Sequence, residues 1–131
     1  MSDRRSTRDA TVPVPRVAGL AAVLGTWIFW SGVFFTGSGW IILNNVLVGA
    51  AIATLAAYTA AQPSGGRLPA LAAPLPLVPL GLWTVAAPFV FGTPVDVLFW
   101  SNVVAGGLVT ILAAAGVYGS WRRRTATATG A

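Results

Sequence analysis

Four apolar stretches, each about twenty residues long, contain no charged side chain. They run from about residue 17 to 35, 41 to 61, 70 to 91 and 97 to 118. An α-helix rises about 1.5 Å per residue, so about twenty residues cross the roughly 30 Å hydrocarbon core of a bilayer. Inside lipid, backbone polar groups must pair within the protein, and helices do this within one segment. The sequence therefore predicts an all-α integral membrane protein with four transmembrane helices.

Composition supports this class. Hydrophobic residues make up 56% of the 131 residues and charged residues only 8%, whereas soluble domains carry about 25% charged residues. Too few polar side chains are present to cover a globule in water, which excludes an ordinary soluble enzyme.

The third apolar stretch is rich in proline. Pro69, Pro74, Pro76 and Pro79 crowd its first half, and Pro88 lies near its end. Proline is tolerated in the first turn of a helix but removes a hydrogen bond deeper inside it. We therefore predict that this helix begins between Pro74 and Pro79. Pro88 is interpreted as a packing kink or as a gating hinge.

Polar segments flank the four stretches. Residues 1–16 are predicted to form a disordered basic tail, and residues 62–69 a linker rich in Pro, Ser and Gly. Residues 119–131 are predicted to form a second tail, of which the last ten are disordered. Residues 36–39 and 92–96 are predicted to form the two turns on the opposite side of the membrane.

The arginines fall on one side of this topology. Cytoplasmic loops of membrane proteins are enriched in Lys and Arg, so both termini are expected in the cytoplasm and the protein in the cell membrane. Anionic lipid is the expected surface partner. No nucleic-acid partner is expected, because the arginines flank apolar stretches and do not cover a polar face. The eight are Arg4, Arg5, Arg8, Arg16, Arg67, Arg122, Arg123 and Arg124.

The chain contains an internal repeat. At an offset of 56 residues, Leu24, Gly25, Trp27 and Phe35 align with Leu80, Gly81, Trp83 and Phe91. At an offset of 57, Asn45, Val46 and Gly49 align with Asn102, Val103 and Gly106. The halves, residues 17–61 and 70–118, are thus two tandem helical hairpins. Each crosses twice, so both have the same orientation and are related by a pseudo-twofold axis along the membrane normal.

Equivalent stretches of the two first helices suggest a family. Residues 25–33 read Gly-Thr-Trp-Ile-Phe-Trp-Ser-Gly-Val and residues 81–89 read Gly-Leu-Trp-Thr-Val-Ala-Ala-Pro-Phe. On this pattern the chain resembles, over about residues 18 to 118, the SPW-repeat family of small membrane proteins. The family's repeat is a two-helix hairpin with Ser-Pro-Trp in its first helix. Here the first copy keeps only Ser31 and the second only Pro88, with Phe89 in place of Trp. The resemblance implies a four-helix membrane protein and no known reaction.

Small residues recur every four positions in the second helix of each half. Such stripes let helix backbones approach closely in lipid, so we interpret them as the central seam of the bundle. The asparagine at the outer end of each stripe is expected to hydrogen-bond to its counterpart. The alternative is that both amides bind a solute or ion. The stripes are Asn45, Gly49, Ala53, Ala57 and Asn102, Gly106, Thr110, Ala114.

Two tryptophans lie too deep in their helices for the interfacial aromatic belt. Trp27 and Trp83 are expected to fill the space beside Gly25 and Gly81, while the indole N–H finds Ser31 or a carbonyl. The alternative interpretation is a pocket for an aromatic or lipid ligand.

Catalytic side chains are scarce. The chain has no His, Cys, Lys or Glu, and its acids are Asp3, Asp9 and Asp96. We therefore expect no acid–base pair, metal site or cofactor, and no enzyme. The sequence favours a non-enzymatic membrane module that packs against itself or a partner protein. The alternative is an oligomeric pore, or a carrier of a small solute or lipid that uses Asn45 and Asn102.

Overall fold

The computed structural model describes residues 13–35, 39–61 and 72–129, and their regular structure is entirely helical. Helix α1 spans Val14–Phe34, α2 Trp40–Ala61, α3 Pro74–Phe91 and α4 Asp96–Thr129. Each helix is long and apolar enough to cross a membrane. The predicted class, an all-α membrane protein with four spans, is confirmed.

Proline and glycine set several helix ends. Pro15 lies in the first turn of α1, which begins three residues earlier than the sequence suggested and therefore includes Arg16. Helix α3 begins at Pro74, within the predicted interval. It ends at Gly92, whose φ of 61° is left-handed and whose N–H donates to the Pro88 carbonyl. Glycine takes this conformation without the steric cost of a Cβ atom.

Helix α4 is longer than predicted. Its 34 residues correspond to about 51 Å, well beyond the hydrocarbon core. The sequence placed the helix end at Tyr118 and predicted that the last ten residues are disordered, but α4 continues to Thr129. Residues 119–129 contain no proline, and their three arginines and two alanines are good helix formers, so Gly119 alone does not end the helix.

The four helices pack in a ring. Helix α1 packs on α2 and α3 on α4, which forms the two predicted hairpins; α1 also packs on α4, and α2 on α3. Both hairpins contribute to one apolar core, with Ile28 and Ile52 from the first and Leu77 and Val109 from the second. A second cluster of Ile41, Ala87 and Leu98 lies near the turns.

Several predicted features lie outside the described residues. These are the N-terminal tail with Arg4, Arg5 and Arg8, the linker with Arg67, most of the first turn, and the side chains of Arg123 and Arg124.

Candidate functional site

Close backbone contact in the first hairpin depends on two glycines. A Cβ atom added at Gly25 would lie 2.5 Å from the Ala53 backbone nitrogen. A Cβ atom at Gly49 would meet the Phe29 backbone nitrogen and lie 2.8 Å from the Gly25 carbonyl oxygen. The two glycines therefore face each other across α1 and α2.

The second hairpin repeats this contact. A Cβ atom at Gly81 would lie 2.8 Å from the Thr110 backbone nitrogen, and one at Gly106 would lie 2.8 Å from that of Val85. The small-residue stripes thus close each hairpin internally. The interpretation of these stripes as the central seam of the bundle is wrong for their glycines, which face the first helix of their own hairpin. The asparagines at the outer ends of the stripes do meet across the bundle.

A pair of amides links the two hairpins within this bundle. Asn45 Nδ2 donates to Asn102 Oδ1 at 2.9 Å, and Asn102 Nδ2 donates to Asn45 Oδ1 at 3.0 Å. Both side chains are fully buried. This is the contact that the repeated asparagines predicted, and it joins α2 to α4 across the bundle.

The surroundings of this pair are not symmetric. Asn45 Nδ2 also donates to the Ser31 hydroxyl at 3.2 Å, and Asn44 Nδ2 donates to Asn45 Oδ1 at 3.3 Å. The position equivalent to Ser31 is Ala87, which has no polar atom. Asn45 therefore has partners besides its counterpart, whereas the hydrogen bonds described for Asn102 all go to Asn45.

Each tryptophan bridges from its own hairpin to the other one. Trp27 Nε1 donates to Ser101 Oγ at 2.9 Å, and Trp83 Nε1 donates to Asn44 Oδ1 at 2.8 Å. The rings are 45% and 40% exposed. The expectation that they fill space beside Gly25 and Gly81 is wrong, because the partner helix backbone occupies that space. Ser31 is not their partner either, because each indole N–H donates to the other hairpin.

Asn44 and Ser101 were missed from the sequence. They align at the same 57-residue offset as the paired asparagines. This coincidence of two polar residues was the available signal.

Comparison with known families agrees with this architecture. The family model described as the SPW repeat domain matches residues 16–116, which is most of the chain. The chain belongs to the SPW repeat family. Searches of curated proteins and of solved structures give no match. The match spans both hairpins of this SPW repeat protein but leaves out the end of α4.

An apolar groove lies between α1 and α4 on the lipid-facing surface. It has a volume of about 490 Å³ and is lined by Leu24, Trp27, Phe35, Trp100 and Val104, with Ser101 as a polar member. The Ser101 hydroxyl already accepts a hydrogen bond from the Trp27 indole N–H. A molecule in this groove of the SPW repeat protein would therefore contact apolar side chains almost exclusively.

Two arginines mark one end of the bundle. Arg16 in the first turn of α1 and Arg122 near the end of α4 are both exposed. The guanidinium of Arg122 lies 5.8 Å from the centre of the Tyr118 ring, within range of a cation–π contact. With four crossings, the two ends of an SPW repeat protein of this kind lie on the same side.

The polar side chains within the bundle are almost all paired. Among the described residues, Thr93 Oγ1 is the one buried side-chain polar atom without a hydrogen-bond partner. The described residues also contain no cluster of three or more potential metal ligands. Among the described residues, the side chains of Ser31, Asn45 and Asn102, with the two tryptophans and their acceptors, join different helices, whereas the threonine hydroxyls bond mainly to carbonyls of their own helix.

Proposed function

We propose that this SPW repeat protein is a non-enzymatic membrane module that acts by packing against itself or a partner protein. The observation that supports this is the paired state of the central polar groups. Asn45 and Asn102 are bound to each other, Trp27 to Ser101, and Trp83 to Asn44. Such hydrogen bonds are worth about 0.6 kcal/mol each on average in membranes, so together they stabilise helix association.

A carrier that uses the two asparagines fits this geometry poorly. A solute would have to break the two hydrogen bonds between the amides and reach side chains that are fully buried. Besides its arginines, the chain has three aspartates as charged side chains, and the one among the described residues, Asp96, is the first residue of α4 and so lies at the end of its span. Proton-coupled carriers need ionisable groups at depth.

We also propose that both termini face the cytoplasm of the cell. The arginine distribution supports this orientation. Each basic residue near an anionic surface contributes about 1 kcal/mol, an attraction that weakens as salt is added.

The test combines two assays on the full chain. Tagged protein extracted from its own membranes in mild detergent should retain a second copy or another membrane protein in a fixed ratio. Vesicles containing the purified chain should release trapped solutes no faster than empty vesicles. Solute flux that is lost in the Asn45→Leu/Asn102→Leu chain would contradict the proposal and favour a carrier.

A further inference from the structure

The contacts between the hairpins obey a pseudo-twofold symmetry. An offset of 56 residues takes α1 to α3, and an offset of 57 takes α2 to α4. These offsets convert the Trp27–Ser101 hydrogen bond into the Trp83–Asn44 hydrogen bond. They convert the Asn45–Asn102 pair into itself, so this pair lies on the axis.

A surface that meets its own equivalent across a twofold axis is self-complementary. The surface of each hairpin holds an indole donor, an acceptor and an axial amide. In hairpin 1 these are Trp27, Asn44 and Asn45; in hairpin 2 they are Trp83, Ser101 and Asn102. Asn44 Oδ1 already accepts a hydrogen bond from the Trp83 indole N–H. It can therefore accept the same hydrogen bond from Trp27 of a second copy.

Apolar packing is matched in the same way. Buried core positions of hairpin 1 fall on buried positions of hairpin 2, and the two sets have nearly equal total side-chain size. Two copies of either set therefore conserve the total core volume of the mixed pair, because differences at single positions, such as Ala21 against Leu77 and Ile28 against Thr84, offset each other. The sets are Ala21, Ile28, Ile41, Ile52, Ala56 and Leu77, Thr84, Leu98, Val109, Ala113.

From these observations we infer that the hairpin surface is a homotypic docking surface, whose partner is the same surface on a second copy of this chain. The inference rests on the proposed function and names its partner. When two copies exchange, so that hairpin 1 pairs with hairpin 1 and hairpin 2 with hairpin 2, they form as many of these hydrogen bonds as two chains paired internally. The connection between the hairpins favours pairing within the chain through its effective concentration, so exchange between copies increases with protein density in the membrane.

Crosslinking tests this pairing directly, because the chain contains no cysteine. The Asn45→Cys chain carries one thiol on the axis, and two such thiols meet only when hairpin 1 docks on hairpin 1. The substitution removes two amide hydrogen bonds from the pair within each chain and only two from a dimer of two chains, so it does not disfavour exchange. Full-length protein is reconstituted at increasing protein-to-lipid ratio and treated with a short bis-maleimide. The matched control is Leu47→Cys, two residues along the same helix and 62% exposed to lipid.

The Asn45→Cys chain should give crosslinked dimers faster than the Leu47→Cys chain, and increasingly so at higher protein density. Equal or slower crosslinking of the Asn45→Cys chain overturns the inference.

A second experiment shifts the equilibrium. The changes Trp83→Phe, Ser101→Ala and Asn102→Leu disable the surface of hairpin 2 and leave hairpin 1 intact. This full-length variant should dimerise in mild detergent more strongly than the unaltered chain. Adding Asn45→Leu removes two hydrogen bonds from the dimer, which should weaken it about eightfold, or about 1.2 kcal/mol. Dimerisation that is unchanged by Asn45→Leu overturns the inference.

The two experiments separate this inference from the proposed function. If the triple variant does not fold, the Asn45→Cys chain still decides the matter. If copies fail to pair while a different membrane protein co-purifies in a fixed ratio, the proposed function is supported and the homotypic docking surface is refuted.

Discussion

The two central asparagines should be unequal in energetic weight, although they form the same pair. Consider Asn45→Leu and Asn102→Leu. Each change removes both hydrogen bonds of the pair. After Asn102→Leu, Asn45 keeps Ser31 and Asn44 as partners. After Asn45→Leu, Asn102 keeps none of the hydrogen bonds described for it. The second amide is thus orphaned in only one of the two variants.

This difference sets the expected magnitudes. Two hydrogen bonds at the membrane average of about 0.6 kcal/mol give a cost of about 1 kcal/mol for Asn102→Leu. Asn45→Leu also removes the hydrogen bonds with Ser31 and Asn44, so four lost bonds give about 2 kcal/mol. The unsatisfied Asn102 amide adds about 1–3 kcal/mol, which brings the cost of Asn45→Leu to about 4 kcal/mol. The double variant loses the same four bonds but leaves no orphaned amide of the pair, and should cost about 2 kcal/mol, below the sum of about 5 kcal/mol.

The assay is reversible unfolding in mixed micelles, with the denaturing detergent titrated and helix content followed by circular dichroism. Leucine is introduced at both positions, so steric costs are similar in the two single variants and largely cancel in their comparison. Equal destabilisation by the two single changes, or strict additivity in the double variant, would refute the assignment of partners to this pair.

Three further predictions concern individual residues. Gly49→Ala should lower the free energy of unfolding by about 1–3 kcal/mol, because the added Cβ atom would meet the Phe29 backbone. Gly107→Ala, whose added Cβ atom would meet no atom of another helix within 4 Å, should cost nothing in the same titration. Equal costs for the two variants would contradict the close approach of α1 and α2. Trp27→Phe should lower the free energy of unfolding by about 0.6 kcal/mol, the value of its hydrogen bond to Ser101. The same change should have no further effect in a Ser101→Ala chain. Full additivity of the two changes in this double-mutant cycle would exclude the contact. Ala87→Ser should stabilise the bundle by about 0.6 kcal/mol. Position 87 is equivalent to Ser31, whose hydroxyl donates to the Ile28 carbonyl and accepts from Asn45, so the new hydroxyl should donate to the Thr84 carbonyl, which Pro88 leaves without an N–H donor, and accept from Asn102. A lower unfolding midpoint would count against this.

The architecture was accessible from the sequence because its signals are local or strictly periodic. Four uncharged stretches of sufficient length predict four spans, and the offsets of 56 and 57 residues place Asn45 on Asn102. A buried amide in lipid needs a partner, and its repeat equivalent is the nearest candidate by symmetry. That reasoning led to the pair that the structure contains.

The partners of the glycines and tryptophans could not be assigned in this way. A stripe such as Asn45 to Ala57 indicates that another helix comes close but does not say which one. The contact with α1 is decided by the hairpin geometry. Trp27 and Ser101 are 74 residues apart, and no local pattern links them. The length of α4 was underestimated because the apolar stretch stops near Tyr118, at the expected membrane surface, whereas the residues that follow can continue the helix in water.

The account depends most on four crossings with both ends on one side, and labelling of single cysteines in intact cells measures this directly. Arg16 lies in the first turn of α1 and Arg122 lies in α4 beyond the predicted end of the fourth span, and both are exposed, as is Pro94 in the turn between α3 and α4. Each is replaced by cysteine in a separate chain. A membrane-impermeant thiol reagent added outside should label the Pro94→Cys chain alone, and the two arginine variants should react only after the membrane is opened. Labelling of Pro94→Cys and Arg122→Cys from the same side would contradict the four-helix arrangement, and labelling of only the arginine variants from outside would show that the orientation is inverted.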